Sequence, residues 1–168
     1  MKRIEISKLY ENPSHYYNKE ITVCGWIRTL RNQKTFAFIE LNDGSQFKGI
    51  QIVLEDSKIN NYKDIVKLNV GSSIVVNGIF IETPGAKQPF EIHAKEILIE
   101  GESTPDYPLE KKRHSLEFLR EIAHLRPRTN TFSAVFRVRS VVSQAIHEFF
   151  ANEGFIYVHT PIITGSDC

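Results

Sequence analysis

Hydrophobic and polar residues alternate over three consecutive segments near the N-terminus, a pattern typical of β-strands with one buried face. The segments are residues 21–31, 35–41 and 47–54. The positions expected to face a core in the second and third segments are Ala37, Ile39, Leu41, Ile50, Ile52 and Leu54. The residues between them, including Phe38 and Gln51, are therefore expected on the opposite face.

Three more elements follow before residue 100. The turn 42–45 reads Asn-Asp-Gly-Ser, residues that tolerate positive φ, so the second and third strands should form a hairpin. Residues 57–68 carry apolar side chains at helical spacing. Strands are predicted at 72–82 and 89–99, separated by the breaker-rich loop 83–88.

Two local features near the N-terminus give smaller expectations. Ser7 is expected to cap a short helical turn that runs through Tyr10 and stops before Pro13. Gly25 lies inside the first strand, which predicts a bulge or a sharp bend such as small barrels need at their corners.

The element order strand, strand, strand, helix, strand, strand is that of the OB-fold, so the predicted class is mainly β. In this five-stranded, partly open barrel the second and third strands commonly bind oligonucleotides. Phe38 and Gln51 fall on those two strands, and Arg28 and Arg31 fall on the first. Rings, an amide and guanidinium groups on one sheet face suit unstacked bases. Two alternatives stay open: outward rings are often covered by a loop or helix, and OB barrels also bind sugars and proteins.

The pattern changes after residue 100. Residues 101–113 are polar, charged and contain prolines, as in a linker. A helix is predicted at 114–125. A longer helix follows, for which Thr129, Asn130 and Thr131 offer capping oxygens and which Gly154 should end. A strand is predicted at 155–163, where Pro161 restricts it to an edge or an interface.

The expected domains are a barrel at 1–102, a linker or hinge at 103–128, and the beginning of an α+β domain at 129–168. The last part is too small to bury both faces of its long helix. We therefore expect the sequence to be the front of a longer protein, with an exposed apolar surface near its end.

Composition narrows the function classes. The net charge of +1 predicts that any contact with nucleic acid is local. The two cysteines, Cys24 and Cys168, have no metal-site or disulfide spacing, and no signal sequence or membrane-spanning run is visible. We expect a soluble, cytoplasmic protein without a membrane partner. No Walker loop, Gly-x-Ser-x-Gly or histidine pair at metal spacing occurs, so no catalytic residue and no metal site is expected in this chain.

Two stretches carry a resemblance to a known family. VCGWIRTLRNQKTFAFIELNDGS is similar to the first strands of the asparaginyl-tRNA synthetases, and FANEGFIYVHTPIITGSDC resembles their first class II motif. These enzymes are class II synthetases related to the aspartyl and lysyl types. The resemblance implies an OB-fold anticodon-binding domain, a hinge and the truncated start of a class II catalytic domain.

The resemblance also implies residue roles. Phe38 matches the ring on which the family stacks an anticodon uridine, and Gln51 matches an amide that hydrogen-bonds an anticodon base. Arg31 and Arg28 match arginines that contact the anticodon loop. The motif residues Gly154, Phe155 and Pro161 match the family's dimer interface.

The implied activity is that of an asparagine–tRNA ligase acting as a homodimer on tRNA(Asn), with ATP and Mg²⁺ as cofactors of the full-length protein. The family's later ATP-binding motifs, a Phe-Arg-x-Glu segment and a Gly-rich segment ending in arginine, do not occur here. We therefore expect this chain to bind no cofactor and to be inactive alone. The alternative is a stand-alone OB-fold module that binds tRNA or single strands without catalysis.

Overall fold

A five-stranded closed barrel forms the larger part of the structure. The computed structural model describes residues 2–110, 112–163 and 165. The strands are β1 Glu20–Gln33, β2 Phe36–Asn42, β3 Ile50–Glu55, β4 Ser73–Glu82 and β5 Phe90–Gly101. The helices are α1 Ile6–Glu11, α2 Tyr62–Ile65, α3 Leu116–Glu121 and α4 Asn130–Asn152. The chain divides into two compact units, residues 1–122 and 123–168.

The barrel closes because β1 is long enough to pair with two strands. Its first half, Glu20–Trp26, pairs antiparallel with β4, and its second half, Trp26–Gln33, pairs antiparallel with β2. Around the barrel the order is β1-β2-β3-β5-β4. β3 and β5 are the one parallel pair among the described strands, joined at Ile52↔Ile92 and Val53↔His93. The predicted OB-fold element order is thereby confirmed.

The core follows the predicted alternation. All six positions assigned to the inner faces of the second and third strands are at most 1% exposed: Ala37, Ile39, Leu41, Ile50, Ile52 and Leu54. Phe80 fills the centre between Tyr17 and Phe90, with ring centroids 5.5 and 4.8 Å away. Apolar side chains from every strand meet in this cluster. Removing them from water is the main driving force for folding of a small barrel.

Of the two alternatives predicted at Gly25, a bulge or a sharp bend, the bulge is wrong in position. The pairing of β1 with β4 runs without a shift through Gly25, whereas the shift against β2 lies between Ile27 and Thr29. Gly25 serves a close backbone approach instead, since a Cβ there would lie 2.7 Å from the carbonyl oxygen of Asn42. Arg28 is the extra residue of the bulge.

The predicted capping role of Ser7 is also wrong. Helix α1 has Glu5 at its N-cap position, without a side-chain cap. Its first amides are satisfied from the turn between β2 and β3: Ile6 N donates to Asp43 Oδ2 and Ser7 N donates to Ser45 Oγ, both at 2.9 Å. The partner is 37 or 38 residues away, so local sequence could not show it.

The predicted helix at 57–68 is reduced to the single turn α2. Its apolar side is nevertheless confirmed, because Ile59, Tyr62 and Ile65 are buried and Val66 packs against the core. The strand predicted from residue 47 begins at Ile50, after bends at 44–48. Burial thus follows the sequence pattern even where the backbone forms turns.

The stretch predicted as a linker is irregular but lies against the barrel. Ser103 N donates to the buried Ser72 Oγ at 2.9 Å, and Asn69 Nδ2 donates to Ser103 O at 3.0 Å. Leu109 is buried, and Tyr107 covers the position where Gly71 would carry a Cβ. This segment and α3 belong to the first unit, which ends at Ile122.

The second unit is dominated by α4, whose predicted C-terminal cap at Gly154 is confirmed and whose N-cap is the first of the three candidates, Thr129. Thr129 Oγ1 accepts a hydrogen bond from Phe132 N at 3.4 Å. At the other end Gly154 has φ +86°, with Gly154 N donating to Ala151 O and Phe155 N donating to Phe150 O. This is the Schellman arrangement, including the usual apolar contact, here between the rings of Phe150 and Phe155.

The strand predicted at 155–163 is wrong for the structure described here, where these residues are irregular. A strand needs backbone partners on a neighbouring strand, and the second unit supplies none among its described residues. The expected exposed apolar surface is confirmed in this unit. Its members include Val138, Val141, Phe149, Phe155, Ile156, Ile162 and Ile163. Thr164 and residues 166–168, which include Cys168, lie outside the described residues, as does Lys111 in the linker.

We predict that Gly78→Ala destabilises the barrel while Gly101→Ala is tolerated. A Cβ at Gly78 would lie 2.3 Å from the His93 carbonyl oxygen and 2.9 Å from Ala94 Cα, both backbone atoms of β5. At Gly101 the nearest atom is the movable Ser73 hydroxyl oxygen at 3.1 Å. Overpacking should lower the free energy of unfolding of Gly78→Ala by about 1–3 kcal/mol in urea titrations, and that of Gly101→Ala much less. Equal midpoints for the two variants would contradict this assignment.

Candidate nucleic-acid interface

The outer face of β1, β2 and β3 gathers the side chains that the sequence singled out. Strand register arranges them in rows across the three strands. The rows are Gln33–Phe36–Glu55, Arg31–Phe38–Val53 and Thr29–Glu40–Gln51. Phe38 and Gln51 are therefore diagonal neighbours, close enough for both to meet one bound group.

The rings on this face are not buried under a loop or helix. Phe36 is 41% exposed and Phe38 is partly exposed. The alternative in which outward rings are covered is therefore wrong for Phe36 and holds only in part for Phe38.

Trp26, which pairs with Asn42 at the end of β2, is 43% exposed. Sequence reasoning did not single out Trp26, although its outward position follows from the alternation around Val23 and Ile27.

Arg31 lies beside the Phe38 ring. Its guanidinium carbon is 5.8 Å from the ring centroid, within the range of a cation–π interaction. A positive charge and an aromatic face are thus presented side by side. Such a pair suits a nucleotide, whose base can stack on the ring while its phosphate meets the guanidinium. Arg28 lies at the bulge of β1, the strand that also carries Arg31, and its side chain is half-buried.

Gln51 is held by a side chain that sequence reasoning missed. Its Nε2 donates to Glu91 Oε2 at 3.0 Å, and the other oxygen, Glu91 Oε1, lies 2.8 Å from His93 Nε2. The Glu91 side chain is 15% exposed. Alternation in the fifth strand places Glu91 and His93 outward, but only the parallel pairing of β3 with β5 brings them to Gln51.

Tyr10 is hydrogen-bonded to the backbone at the start of β3, at the edge of this outer face. Its hydroxyl donates to the carbonyl oxygen of Gly49 at 2.8 Å, just before β3 begins. Burial, and next the negative charge of Glu40, raise the pKa of Tyr10 above its ordinary value. The phenol therefore stays a neutral donor throughout the physiological range.

Several side-chain hydrogen bonds hold the turn that joins β2 to β3. Asn42 Oδ1 accepts from Gly44 N at 2.8 Å, and Asp43 Oδ1 accepts from Ser45 N at 3.0 Å. The other carboxylate oxygen, Asp43 Oδ2, caps α1. Gly44 adopts φ +80°, which the predicted turn chemistry requires. The turn fixes the register of the two strands that carry Phe38 and Gln51.

The remaining predicted site residues lie elsewhere. Gly154, Phe155 and Pro161 belong to the second unit, and Phe155 and Pro161 are exposed there. In the part of the chain that the structure describes, no group of three or more His, Cys, Asp and Glu side chains is able to hold a metal ion. Among the same residues, no helix has the length and apolar character needed to cross a membrane.

Two family models match the chain. Residues 21–100 match an OB-fold nucleic acid binding domain. Residues 115–168 match the class II tRNA synthetases of the D, K and N type. The two matches follow each other in the chain in the order that the sequence resemblance implied.

Curated relatives agree with these models. The chain is similar to the asparagine–tRNA ligase of Acetivibrio thermocellus, with 65% identity over 167 residues, and to that of Clostridium tetani, with 59% identity over 168 residues. These alignments cover 99% and 100% of this chain. The chain spans 36% of the length of either relative.

Solved structures share the fold. An asparaginyl-tRNA synthetase from Pyrococcus horikoshii, complexed with asparaginyl-adenylate, superposes with a TM-score of 0.85 at 22% identity, over 96% of this chain and 37% of that one. The corresponding synthetase from Entamoeba histolytica gives a TM-score of 0.80 at 21% identity, over 98% and 38%. At this identity the likeness concerns the fold.

We predict that Phe38→Ala leaves the barrel stable, whereas Ile39→Ala does not. Phe38 faces outward and is partly exposed, while its neighbour Ile39 is completely buried. In urea titrations Phe38→Ala should change the free energy of unfolding by less than about 1 kcal/mol, and Ile39→Ala should lower it by about 2–5 kcal/mol. If Phe38→Ala costs as much as Ile39→Ala, the ring is structural and the face is not an open binding surface.

Proposed function

We infer the function of this chain from the family to which it belongs, the class II aminoacyl-tRNA synthetases of the asparaginyl type. The barrel is proposed to bind the anticodon loop of tRNA(Asn). The whole protein, of which this chain corresponds to about a third, is proposed to be an asparagine–tRNA ligase. Its reaction would activate asparagine with ATP and transfer it to the tRNA.

The observation that carries the proposal is the outer face of β1–β3. A partly exposed aromatic ring, a guanidinium beside it and an amide held by a hydrogen bond lie within two neighbouring rows of the sheet. Such a face stacks unpaired bases on its rings, pairs their phosphates with its cations and reads their edges with its polar groups. No phosphate-binding loop is needed for this task.

Each side chain has a distinct proposed role. Phe38 stacks a base, proposed to be an anticodon uridine, and Gln51 hydrogen-bonds a base edge. Arg31 and Arg28 contact the phosphates of the anticodon loop, to which a planar fork of N–H donors is suited. Arg31 lies beside Phe38, 5.8 Å from the ring centroid, so the two side chains are placed to meet neighbouring parts of the same bound nucleotide.

The second unit is proposed to serve dimerisation of the whole protein. Gly154 ends α4 in a defined cap, Phe155 packs on Phe150, and the segment up to Pro161 leaves apolar side chains exposed. A homodimer through the catalytic domain would cover such a surface. We place the protein in the cytoplasm, where its tRNA substrate is found.

ATP and Mg²⁺ use is general in this enzyme class. Within the described residues, the side chains that could hold a metal ion are not gathered into a group. The Phe-Arg-x-Glu and Gly-rich arginine segments named above are likewise missing from the sequence. Because those motif segments are missing, we propose that ATP and Mg²⁺ bind to the rest of the full-length protein.

We predict that the chain binds an anticodon stem-loop of tRNA(Asn) and that Phe38→Ala weakens this binding by roughly 5- to 150-fold, as expected for the loss of about 1–3 kcal/mol of base stacking. Fluorescence anisotropy at two salt concentrations would measure it, with affinity falling as salt rises. A matched control is Phe47→Ala, since Phe47 is 48% exposed but precedes the paired part of β3. The control should bind close to normally.

The same titration separates the rival functions. Equal affinity for any single strand of matched length would favour a general single-strand binding module over a synthetase domain. Absence of binding at low salt would overturn the nucleic-acid proposal and favour a protein-binding barrel. Preference for the asparagine anticodon, lost in Phe38→Ala and in Gln51→Ala, supports the proposal.

We further expect the isolated chain to form no asparaginyl-tRNA, because the nucleotide-binding segments are missing from its sequence. Incubation with labelled asparagine, ATP, Mg²⁺ and tRNA(Asn), followed by acid precipitation of the tRNA, would measure it. The full-length protein, assayed in parallel, should give charged tRNA. Charging by the isolated chain would contradict the assignment of the cofactors.

A further inference from the structure

Trp26 is an exposed aromatic side chain to which the proposed function gives no role. It is 43% exposed and is the one tryptophan in the sequence. Strand register places it in a row that runs across four strands, Asn42–Trp26–Ser73–Gly101. An exposed ring on a barrel that binds nucleic acid is a candidate stacking platform, because every base has an aromatic face.

The bulge in β1 brings Trp26 to the same outer face as Arg31. Ahead of the bulge Ile27 is completely buried, so Trp26 beside it faces outward. The register shifts between Ile27 and Thr29, after which Leu30 packs against the core and Arg31 faces outward. In an unbroken strand, residues 26 and 31 would face opposite sides, since their separation is an odd number. The extra residue therefore aligns the indole with the guanidinium.

The strand neighbours of the indole are short or already hydrogen-bonded. Both ends of the Asn42 side-chain amide are bonded within the turn 42–46. On the other side, the Ser73 hydroxyl donates to the Gly101 carbonyl oxygen at 3.5 Å. These small or occupied neighbours leave a face of Trp26 accessible to a ring from another molecule.

Trp26 continues the path that Phe38 and Gln51 begin. Along β2, the rows of Phe38, Gln51 and Trp26 follow one another at steps of two residues. The Trp26 row therefore lies about 13 Å from the Phe38 row. OB-folds contact about 4–16 nucleotides of a single strand, whereas the roles proposed for Phe38 and Gln51 account for two bases. A strand that passes beyond Gln51 reaches Trp26 next.

We propose that Trp26 stacks the loop base that flanks the anticodon triplet and adds affinity that does not depend on the identity of that base. This inference rests on the proposed function. With the middle base of the triplet on Phe38 and its neighbour at Gln51, the flanking base is the next in line. Arg28, the extra residue of the bulge, places a guanidinium on the strand between Trp26 and Arg31, where the connecting phosphates would pass.

Intrinsic fluorescence tests this stacking directly. Because the 168-residue chain has one tryptophan, emission excited where tyrosine does not absorb comes from Trp26 alone. Saturation with an anticodon stem-loop of tRNA(Asn) should remove most of this emission. Two further stem-loops carry an abasic nucleotide immediately before or immediately after the triplet. One of them should bind without quenching Trp26. Equal quenching by all three stem-loops, or no quenching by any, would overturn the inference.

Substitutions measure the contribution of the ring to affinity. Trp26→Leu should weaken stem-loop binding roughly 5- to 150-fold, as expected for the loss of one stacked base. Trp26→Phe keeps a ring and should retain most of the affinity. Leu98→Ala is the matched control, because Leu98 is 57% exposed but lies on β5, separated from β1 by β4. It should bind as the wild-type chain does. If Trp26→Leu also binds normally, or if Trp26→Phe loses as much affinity as Trp26→Leu, stacking on this residue is overturned.

Phe38→Ala separates failure of this inference from failure of the proposed function. If Phe38→Ala weakens binding while Trp26→Leu does not, the anticodon face stands and the role of Trp26 is overturned. If the wild-type chain binds no stem-loop, both are overturned together. Should Trp26→Leu fold poorly, as a urea titration would show, the quenching pattern of the wild-type chain with the three stem-loops decides by itself.

Discussion

Pairing of β3 with β5 is the contact on which the barrel and its outer face depend. It consists of two register pairs, Ile52↔Ile92 and Val53↔His93, and it is parallel where the other pairings are antiparallel. The inner members, Ile52 and Ile92, are completely buried, so the hydrophobic effect stabilises this short seam. The same seam places Glu91 and His93 beside Gln51 on the outside.

Core and interface are therefore two sides of the same strands. Ala37, Ile39 and Leu41 bury their side chains, and the residues between them face outward as a consequence of the period of two. A slip of one residue in β2 would bury Phe38 and expose Ile39. Hydrogen bonds within the turn at 42–45, and from the amides of α1 to that turn, oppose such a slip. The residues that cap α1 therefore also hold Phe38 on the outer face.

The two compact units differ in how completely they bury their apolar residues. In the first, the segment after β5 follows the barrel surface through Ser103 and Leu109 instead of hanging free. In the second, α4 is well capped at both ends, yet Val138, Val141 and Phe149 stay exposed. Good local helix signals thus coexist with an exposed apolar face on the same helix.

The sequence by itself determined the order of strands and helix along the chain, the inward and outward faces of β2 and β3, and the C-terminal cap of α4, because these depend on the period of two and on local hydrogen bonds. It also located Phe38, Gln51 and Arg31 on one face. Tertiary structure alone decided what lies far apart in the chain: that Asp43 caps α1, that the bulge falls at Arg28, that residues 155–163 form no strand where no partner strand is described, and that Glu91 binds Gln51. Each of these depends on a contact across the fold, and no local pattern encodes the partner of such a contact.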